Sequence, residues 1–121
     1  VGVSGSPEDT QSATVIIAGQ RLHLFNGGPM FPFTEAISMS LHCASQDQVD
    51  ELWDALVEGG GEHGRCGWLK DRFGLSWQVV PDGLSELLGE PDPVRASKAL
   101  AAMLEMGRLD LAAMERAASA V

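Results

Sequence analysis

The sequence predicts an α+β fold in which strands and one helix are followed by a helical C-terminal segment. Residues 14–25, 37–43 and 66–80 alternate apolar and polar side chains or hold β-branched runs, as strands do. Residues 49–56 repeat apolar side chains at helical spacing, and that spacing returns after Pro81. A length of 121 residues with 45% hydrophobic and 21% charged residues suits one globular domain.

The charge and composition exclude several classes of partner. Lys and Arg number 8 against 17 Asp and Glu, which gives a net charge of −9. Such a chain repels a phosphate backbone, so we expect no nucleic-acid partner. No apolar run approaches the about 20 residues of a membrane span, so we expect no membrane partner. Two cysteines without a signal-like opening segment predict a reducing, cytoplasmic location.

The first half of the chain predicts a loop and then strands. Residues 1–12 hold two Gly, one Pro and three Ser without an apolar period, which predicts an N-terminal loop or arm. Thr14–Ile17 and Arg21–Phe25 are joined by a short turn, which predicts a β-hairpin. After it, Met30–Phe33 is a loop that we expect to cover an apolar surface. A third strand is predicted at Glu35–Cys43, with Ile37, Met39, Leu41 and Cys43 on one face and Ser38, Ser40 and His42 on the other.

A capped helix and a strand pair come next. Ser45 and Gln48 form a capping-box pattern ahead of an apolar stripe, and Gly59 is a natural stop. Cys66–Lys70 and Ser76–Val80 are short strands on either side of a turn, so we expect them to pair antiparallel. We place one domain at residues 13–83 on this pattern.

The remaining residues, 84–121, are predicted to be a helical extension of the same domain. Leu84–Leu88 is a short helical segment, Asp92 caps a helix from Pro93 to Met106, and Asp110 caps a last helix to Ala118. Leu109 and Met114 occupy the positions of a hydrophobic staple. The apolar residues of this region can serve as core, as dimer contact, or as both: Leu100, Met103, Leu104, Leu111 and Met114.

The stretch Cys66–Pro81 resembles one family closely. It looks like the PhnB-like, demethylubiquinone 3-methyltransferase-like branch of the glyoxalase/bleomycin resistance/dioxygenase superfamily, also called the vicinal oxygen chelate superfamily. Supporting stretches are Leu24–Pro29, Val49–Trp53 and Ala102–Met106. The resemblance implies two βαβββ modules whose curved antiparallel sheets form a cup that binds a ligand or metal.

The first module is incomplete on this interpretation. A family member is expected to open with a strand and a helix, about 25–30 residues, ahead of the hairpin at Ala13. Either the sequence is a piece of a longer protein, or another subunit fills the gap. Cups of this superfamily are commonly completed across a dimer, so the resemblance implies a homodimer.

The same resemblance argues against a metal or cofactor. Gln78 stands where metal-dependent members carry a glutamate, and a neutral amide is a poor ligand for a divalent transition metal. No histidine occurs around Ile37 and Ser38, where another ligand is expected. The glycines at 59–61 follow a helix rather than a strand, so they do not form a dinucleotide or S-adenosylmethionine loop. We therefore expect no metal and no cofactor.

Residues that line the expected cup follow from strand alternation. Ser76 and Gln78 share one face of their strand, and Cys66, Trp68 and Lys70 share one face of the neighbouring strand. Trp68 and Phe31 are candidates to stack on a flat ligand, Lys70 to hold an anion, and Gln78 to orient a carbonyl. Each also has a structural interpretation: Trp68 as sheet core, Lys70 as a surface residue paired with an acid, and Cys66 as a small buried side chain.

Three functions follow from these observations. The first is a small-molecule-binding protein of the glyoxalase fold with a metal-free pocket and no assigned reaction. The second is a metal-dependent or proton-transfer enzyme of the same superfamily. The third is a non-catalytic dimerisation or interaction module that uses the C-terminal helices. The sequence leaves open whether the protein is an enzyme, and it does not identify the ligand.

Overall fold

The computed structural model describes the backbone of residues 2–6 and 9–121 and the side chains of residues 11–121. The chain forms two compact units, residues 1–32 and residues 33–121. We describe each unit by itself. The fold class is α+β, as the sequence predicts.

The first unit is a three-stranded antiparallel sheet. Strands β1 (Gly2–Ser6), β2 (Asp9–Ile17) and β3 (Gln20–Phe25) lie in the order β1-β2-β3. The predicted hairpin is confirmed, and Ala18 and Gly19 form its turn with φ of 49° and 80°. Two positive φ values suit a two-residue turn that matches the right-handed twist of paired strands.

The predicted loop at residues 1–12 is wrong within the described part of the chain. Residues 2–6 are a strand that pairs with residues 9–14, and β2 starts at Asp9. Backbone hydrogen bonds to the adjacent strand stabilise this segment, and they require no apolar pattern. Because glycine and serine give no apolar period, side-chain periodicity does not predict this strand. Residues 1, 7 and 8 lie outside the described residues.

The second unit contains a βαβββ module. Its elements are β4 (Ser38–Cys43), α1 (Gln46–Ala55), β5 (Glu62–His63), β6 (Trp68–Lys70) and β7 (Ser76–Pro81). The sheet order is β4-β7-β6-β5, and the sheet is mixed because β4 and β7 are parallel while the other pairs are antiparallel. The antiparallel pairing of β6 with β7 confirms the predicted pair. Strand β5 completes the module and was not predicted.

The start of β4 differs from the sequence prediction. The strand begins at Ser38 instead of Glu35, and Ile37 is 60% exposed instead of lying on the apolar face. The Thr34 hydroxyl accepts a hydrogen bond from the backbone N–H of Ala36, at 3.2 Å, and the Thr34 carbonyl accepts one from Ile37. This local turn competes with strand pairing and delays it by three residues.

One face of the sheet packs on α1. The Ser45 hydroxyl caps α1 by accepting a hydrogen bond from the N–H of Gln48, whose side chain in turn accepts one from the N–H of Ala44. This reciprocal arrangement confirms the capping pattern read from the sequence. The buried cluster between helix and sheet comprises Cys43, Val49, Trp53, Leu69, Trp77 and Val79.

The predicted C-terminal helices are confirmed as α2 (Leu84–Leu88), α3 (Pro93–Leu104) and α4 (Leu111–Ser119). Asp92 and Asp110 cap α3 and α4 through their carboxylates. Leu109 and Met114 are buried, whereas Leu100 and Leu104 are 43% and 52% exposed. No helix in the described part of the chain is long and apolar enough to cross a membrane.

The helical segment is joined to the sheet by backbone hydrogen bonds. The N–H groups of Cys66 and Gly67 donate to the carbonyls of Met106 and Gly107, each at 2.8 Å. The Gln46 side chain also donates to the Leu109 carbonyl at 2.9 Å. These contacts hold the start of β6 and the end of α3 together.

Candidate functional site

The sheet face turned away from α1 carries two rows of side chains. Strand pairing places Glu62 opposite Lys70, Lys70 opposite Ser76, and Ser76 opposite Ser38. Directly opposite residues of paired strands share a face. The first row across the sheet is therefore carboxylate, ammonium, hydroxyl and hydroxyl.

The second row begins at the aromatic residue of β6. Trp68 lies opposite Gln78, and Gln78 lies beside Ser40 in the parallel pair. At the other end of the row, the Gly64 N–H donates to the Trp68 carbonyl at 2.8 Å. A Cβ on Gly64 would stand 2.9 Å from that carbonyl oxygen, so glycine permits this close approach of the two backbones.

A pocket of about 120 Å³ opens at this face and at the β5 edge. Three of the predicted pocket residues, Trp68, Lys70 and Ser76, line it. The side chain of Ser76 is almost completely buried, with 1% of the residue exposed, while Trp68 and Lys70 are half-buried. The pocket residues are Glu35, Glu62, His63, Gly64, Trp68, Leu69, Lys70 and Ser76.

Lys70 is paired with an acid. Its ammonium donates a short hydrogen bond to the Glu35 carboxylate, and it also faces Glu62 across the strand pair. The hydrogen bond to Glu35 is the main cause that raises the pKa of Lys70, and the hydrogen bond from Lys70 lowers the pKa of Glu35. Lys70 is therefore a charged residue whose nearest anion belongs to the protein.

Gln78 is held by a hydrogen bond to the neighbouring strand. Its Nε2 donates to Ser38 Oγ at 2.9 Å, which leaves the amide oxygen as an acceptor on the same face. The donors around it are amide and hydroxyl groups, which are poor ligands for a divalent transition metal. No group of three or more His, Cys, Asp or Glu suited to a metal occurs among the described residues. The residues of this face do not fit a metal centre.

Cys66 does not line the pocket with Trp68 and Lys70, although the sequence predicted the three residues on one strand face. It precedes β6 with a φ of +57°, and its Sγ donates to the Met103 carbonyl at 3.6 Å. The left-handed backbone interrupts the alternation on which the prediction rested. The other cysteine, Cys43, belongs to the core, where burial and the nearby Asp82 raise the pKa of its thiol. Both cysteines are free thiols.

Phe31 is the remaining predicted pocket residue. It belongs to the first compact unit and is 87% exposed, whereas the pocket is built from residues of the second unit. The stacking role expected of Phe31 therefore stays a prediction.

The sequence analysis missed four residues of this site: Glu35, Ser38, Glu62 and His63. Strand alternation does place Ser38 away from the apolar face, so this signal was present and was not used. Glu35 precedes β4 and reaches Lys70 over 35 positions, which no local pattern indicates. His63 stacks on Trp53 with ring centroids 4.4 Å apart, and its Nε2 lies 2.8 Å from the Trp53 carbonyl.

A second surface cleft lies between the C-terminal helices. It has a volume of about 460 Å³ and is lined by residues that include Glu90, Arg95 and Ser119. Arg95 donates to Glu90 at 3.3 Å and to the Ser119 hydroxyl at 3.2 Å. Its lining holds no aromatic side chain, so this cleft offers no stacking surface and is a weaker candidate than the sheet face.

Comparison with known proteins identifies the family. Residues 2–80 match the family model described as 3-demethylubiquinone-9 3-methyltransferase, which is more than half of the chain. The chain belongs to this family. The match ends one residue before the end of β7, so it spans the strands described in both sheets except for Pro81.

A solved structure shares the fold. The chain resembles a Bacillus cereus protein described provisionally as a 3-demethylubiquinone-9 3-methyltransferase, PhnB protein, with a TM-score of 0.59 and 24% sequence identity. The similarity covers 67% of this chain and 77% of that chain. A comparison with curated proteins finds no match. At this identity the likeness establishes the fold alone.

Proposed function

We propose that the protein binds a small organic molecule on the sheet face opposite α1, as a member of the glyoxalase fold and the vicinal oxygen chelate superfamily. The observation that carries this proposal is the register that brings Trp68, Lys70 and Gln78 onto one face beside a pocket. An aromatic wall with a few polar groups is the usual composition of a ligand site. No reaction is assigned to the site.

The size of the pocket restricts the ligand. A volume of about 120 Å³ is smaller than the about 300–1,000 Å³ of typical sites for drug-sized molecules. We expect a single planar ring or a group of similar size to enter here. In the pocket, Trp68 supplies a stacking surface and the Ser76 hydroxyl a hydrogen bond. Gln78 does not line the pocket, and its amide oxygen is an acceptor beside Trp68 on the same face.

The family description names a methyl transfer, and we do not propose that reaction. S-adenosylmethionine needs a binding loop, and the glycines at 59–61 connect α1 to β5 instead of following a strand. A Cβ on Gly61 would lie 2.5 Å from the Lys70 carbonyl oxygen, so this glycine serves close backbone packing. The binding function is the one that the residues of the second unit support.

The proposal is tested with tryptophan indole signals in NMR spectra. Trp53 and Trp77 are 5% and 8% exposed, whereas Trp68 is half-buried and lines the pocket. The panel of small aromatic molecules comprises benzyl alcohol, benzylamine and benzoate. We expect them to shift the indole signal of Trp68 and to leave those of Trp53 and Trp77 nearly unchanged. Trp68→Phe assigns the signal.

A matched pair of variants provides the control. Trp68→Ala should abolish binding, while Phe73→Ala removes an aromatic ring that is 70% exposed on the neighbouring turn and should leave binding intact. Binding to both variants is measured on the NMR signals of the small molecules, because Trp68→Ala lacks the reporter indole. The buried indoles of Trp53 and Trp77 report that each variant is folded. Failure of every panel member to shift the Trp68 signal would overturn the proposal. Native mass spectrometry of the protein as isolated detects a retained ligand or metal directly.

A further inference from the structure

The charge around the pocket is negative although a lysine stands in its centre. Lys70 is paired with Glu35, and Glu62 faces the same lysine from β5. Two carboxylates and one ammonium leave one negative charge at this end of the sheet face. The protein as a whole carries −9, which adds a long-range attraction for cations.

Two polar groups at the pocket have no partner of their own. The Glu62 carboxylate makes no hydrogen bond or ion pair within 4 Å among the residues whose side chains are described. The Ser76 hydroxyl likewise has no hydrogen-bond partner in that part of the chain, although the residue is only 1% exposed. Among the described residues no buried side-chain polar atom lacks a hydrogen-bond partner, so the Ser76 hydroxyl is open to the pocket. From there it can bond to a ligand atom.

The third component is the aromatic wall. Trp68 lies next to Lys70 on the same face, and it lines the pocket together with Gly64 at the β5 edge. An indole attracts a cation over its face as well as a planar ring. Both Trp68 and Glu62 thus favour the same kind of ligand.

We propose that the pocket is selective for a small organic cation, a protonated amine on a planar apolar body, with Glu62 as the counter-ion and Trp68 as the stacking surface. The Ser76 hydroxyl accepts a hydrogen bond from the ligand. This inference rests on the proposed binding function and specifies the class of ligand.

An anionic ligand is disfavoured by the same geometry. To reach the Lys70 ammonium, an anion has to displace Glu35 and then lie beside Glu62. Repulsion between like charges weakens such binding in a partly exposed site. A cation displaces no protein group, and the Lys70 charge that it meets is already paired with Glu35. Glu62 then remains as the unpaired charge, so the pocket discriminates by charge.

Three probes of nearly equal shape test the charge preference: benzylamine as the cation, benzyl alcohol as the neutral molecule and benzoate as the anion. At pH 7 and low salt, the Kd for benzylamine, measured on the Trp68 indole signal, should be lowest and that for benzoate highest. Glu62→Gln should weaken benzylamine binding about two- to fivefold, the effect expected of a partly exposed charge pair. The same substitution should leave the Kd for benzyl alcohol unchanged.

Glu51→Gln is the matched control. Glu51 is an exposed acid on α1, so its substitution removes the same net charge away from the pocket. Benzylamine affinity should be nearly unchanged in this variant. If benzoate binds as tightly as benzylamine, or if the two substitutions have equal effects, the cation inference is wrong while the binding function stands. If none of the three probes shifts the Trp68 signal, the proposed function itself fails.

Discussion

At the residue scale, the ion pair between Lys70 and Glu35 determines which ligand charge the site favours. In the sequence, Lys70 is a candidate to hold an anion, because it shares a strand face with an aromatic residue, and it is also interpreted as a surface residue paired with an acid. The structure gives that lysine a carboxylate partner, which confirms the structural interpretation of Lys70 as a residue paired with an acid. One contact over 35 positions thus changes the ligand class that we expect.

The pair makes a prediction about pH. Because its pKa is lowered in the folded state, Glu35 stabilises the fold above the carboxyl pKa of the unfolded chain, and the effect is lost as the pH falls through the folded value. Lys70 has a raised pKa, so its contribution is present below the unfolded amine pKa and is lost as the pH rises through the folded value. The coupling between the two should therefore be constant between about pH 5.5 and 9.

A double-mutant cycle measures this coupling. Wild type, Glu35→Gln, Lys70→Gln and the double variant are unfolded with urea at several pH values, and the coupling free energy is the non-additive part. It should decline below about pH 4 and above about pH 10.5. Glu35 is exposed and Lys70 only half-buried, so solvent screens the pair and the coupling is small. A coupling that persists unchanged at pH 3 would contradict an ionic interaction.

Elements with a strong local signal were predicted well from the sequence. Ser45, Asp92 and Asp110 each cap a helix, and one side chain with its helix N–H partner suffices for that prediction. Strand β5 has only two residues, so no alternation can reveal it. It forms because its partner β6 supplies the backbone hydrogen bonds.

The site was predicted in part for the same reason. Alternation brought Trp68, Lys70, Ser76 and Gln78 to one face, since each lies inside a regular strand. It failed for Cys66, whose backbone is left-handed and lies before the strand. The partners of Lys70 and Gln78 depend on strand order, which periodicity does not contain.

Gly67 connects the sheet to the helical segment, and its substitution should be destabilising. A Cβ there would lie 2.9 Å from Leu109 Cδ1 and 3.0 Å from the Val79 carbonyl oxygen, and φ is +83°. Gly67→Ala therefore combines a backbone cost of about 1–2 kcal/mol with a steric conflict against a buried leucine. The free energy of unfolding from urea denaturation measures the loss.

Comparison with Gly74→Ala separates the backbone cost from the steric conflict. Gly74 has a similar φ of +89°, but a Cβ there would meet no atom within 4 Å. This variant should lose only the backbone term of about 1–2 kcal/mol. Equal losses in the two variants would show that Leu109 and Val79 yield to the extra methyl group and that the contact is unimportant.

At the scale of the whole molecule, the first unit presents an apolar surface. The strand register puts Ala13, Val15, Ile17, Leu22 and Leu24 on one face of the sheet. Among the side chains described between residues 11 and 32, none is buried, and Leu24 is 51% exposed. A three-stranded sheet with one apolar face is stable when that face is covered.

The homodimer was expected from the family resemblance, and we now predict that it uses this face. We expect a second copy of the chain to cover it, which gives a mass of about twice 12.8 kDa in light scattering. Leu24→Glu places a charge on the apolar face and should shift the mass to that of a monomer. His23→Glu adds the same charge on the opposite face, beside Thr14, and should leave the dimer intact. A wild-type monomer, or equal dissociation by both variants, contradicts the prediction.

The Leu24→Glu variant also shows whether ligand binding depends on assembly, since the pocket residues all belong to the second unit. If the monomeric variant keeps the ligand-induced shift of the Trp68 signal, a single βαβββ module is sufficient for binding.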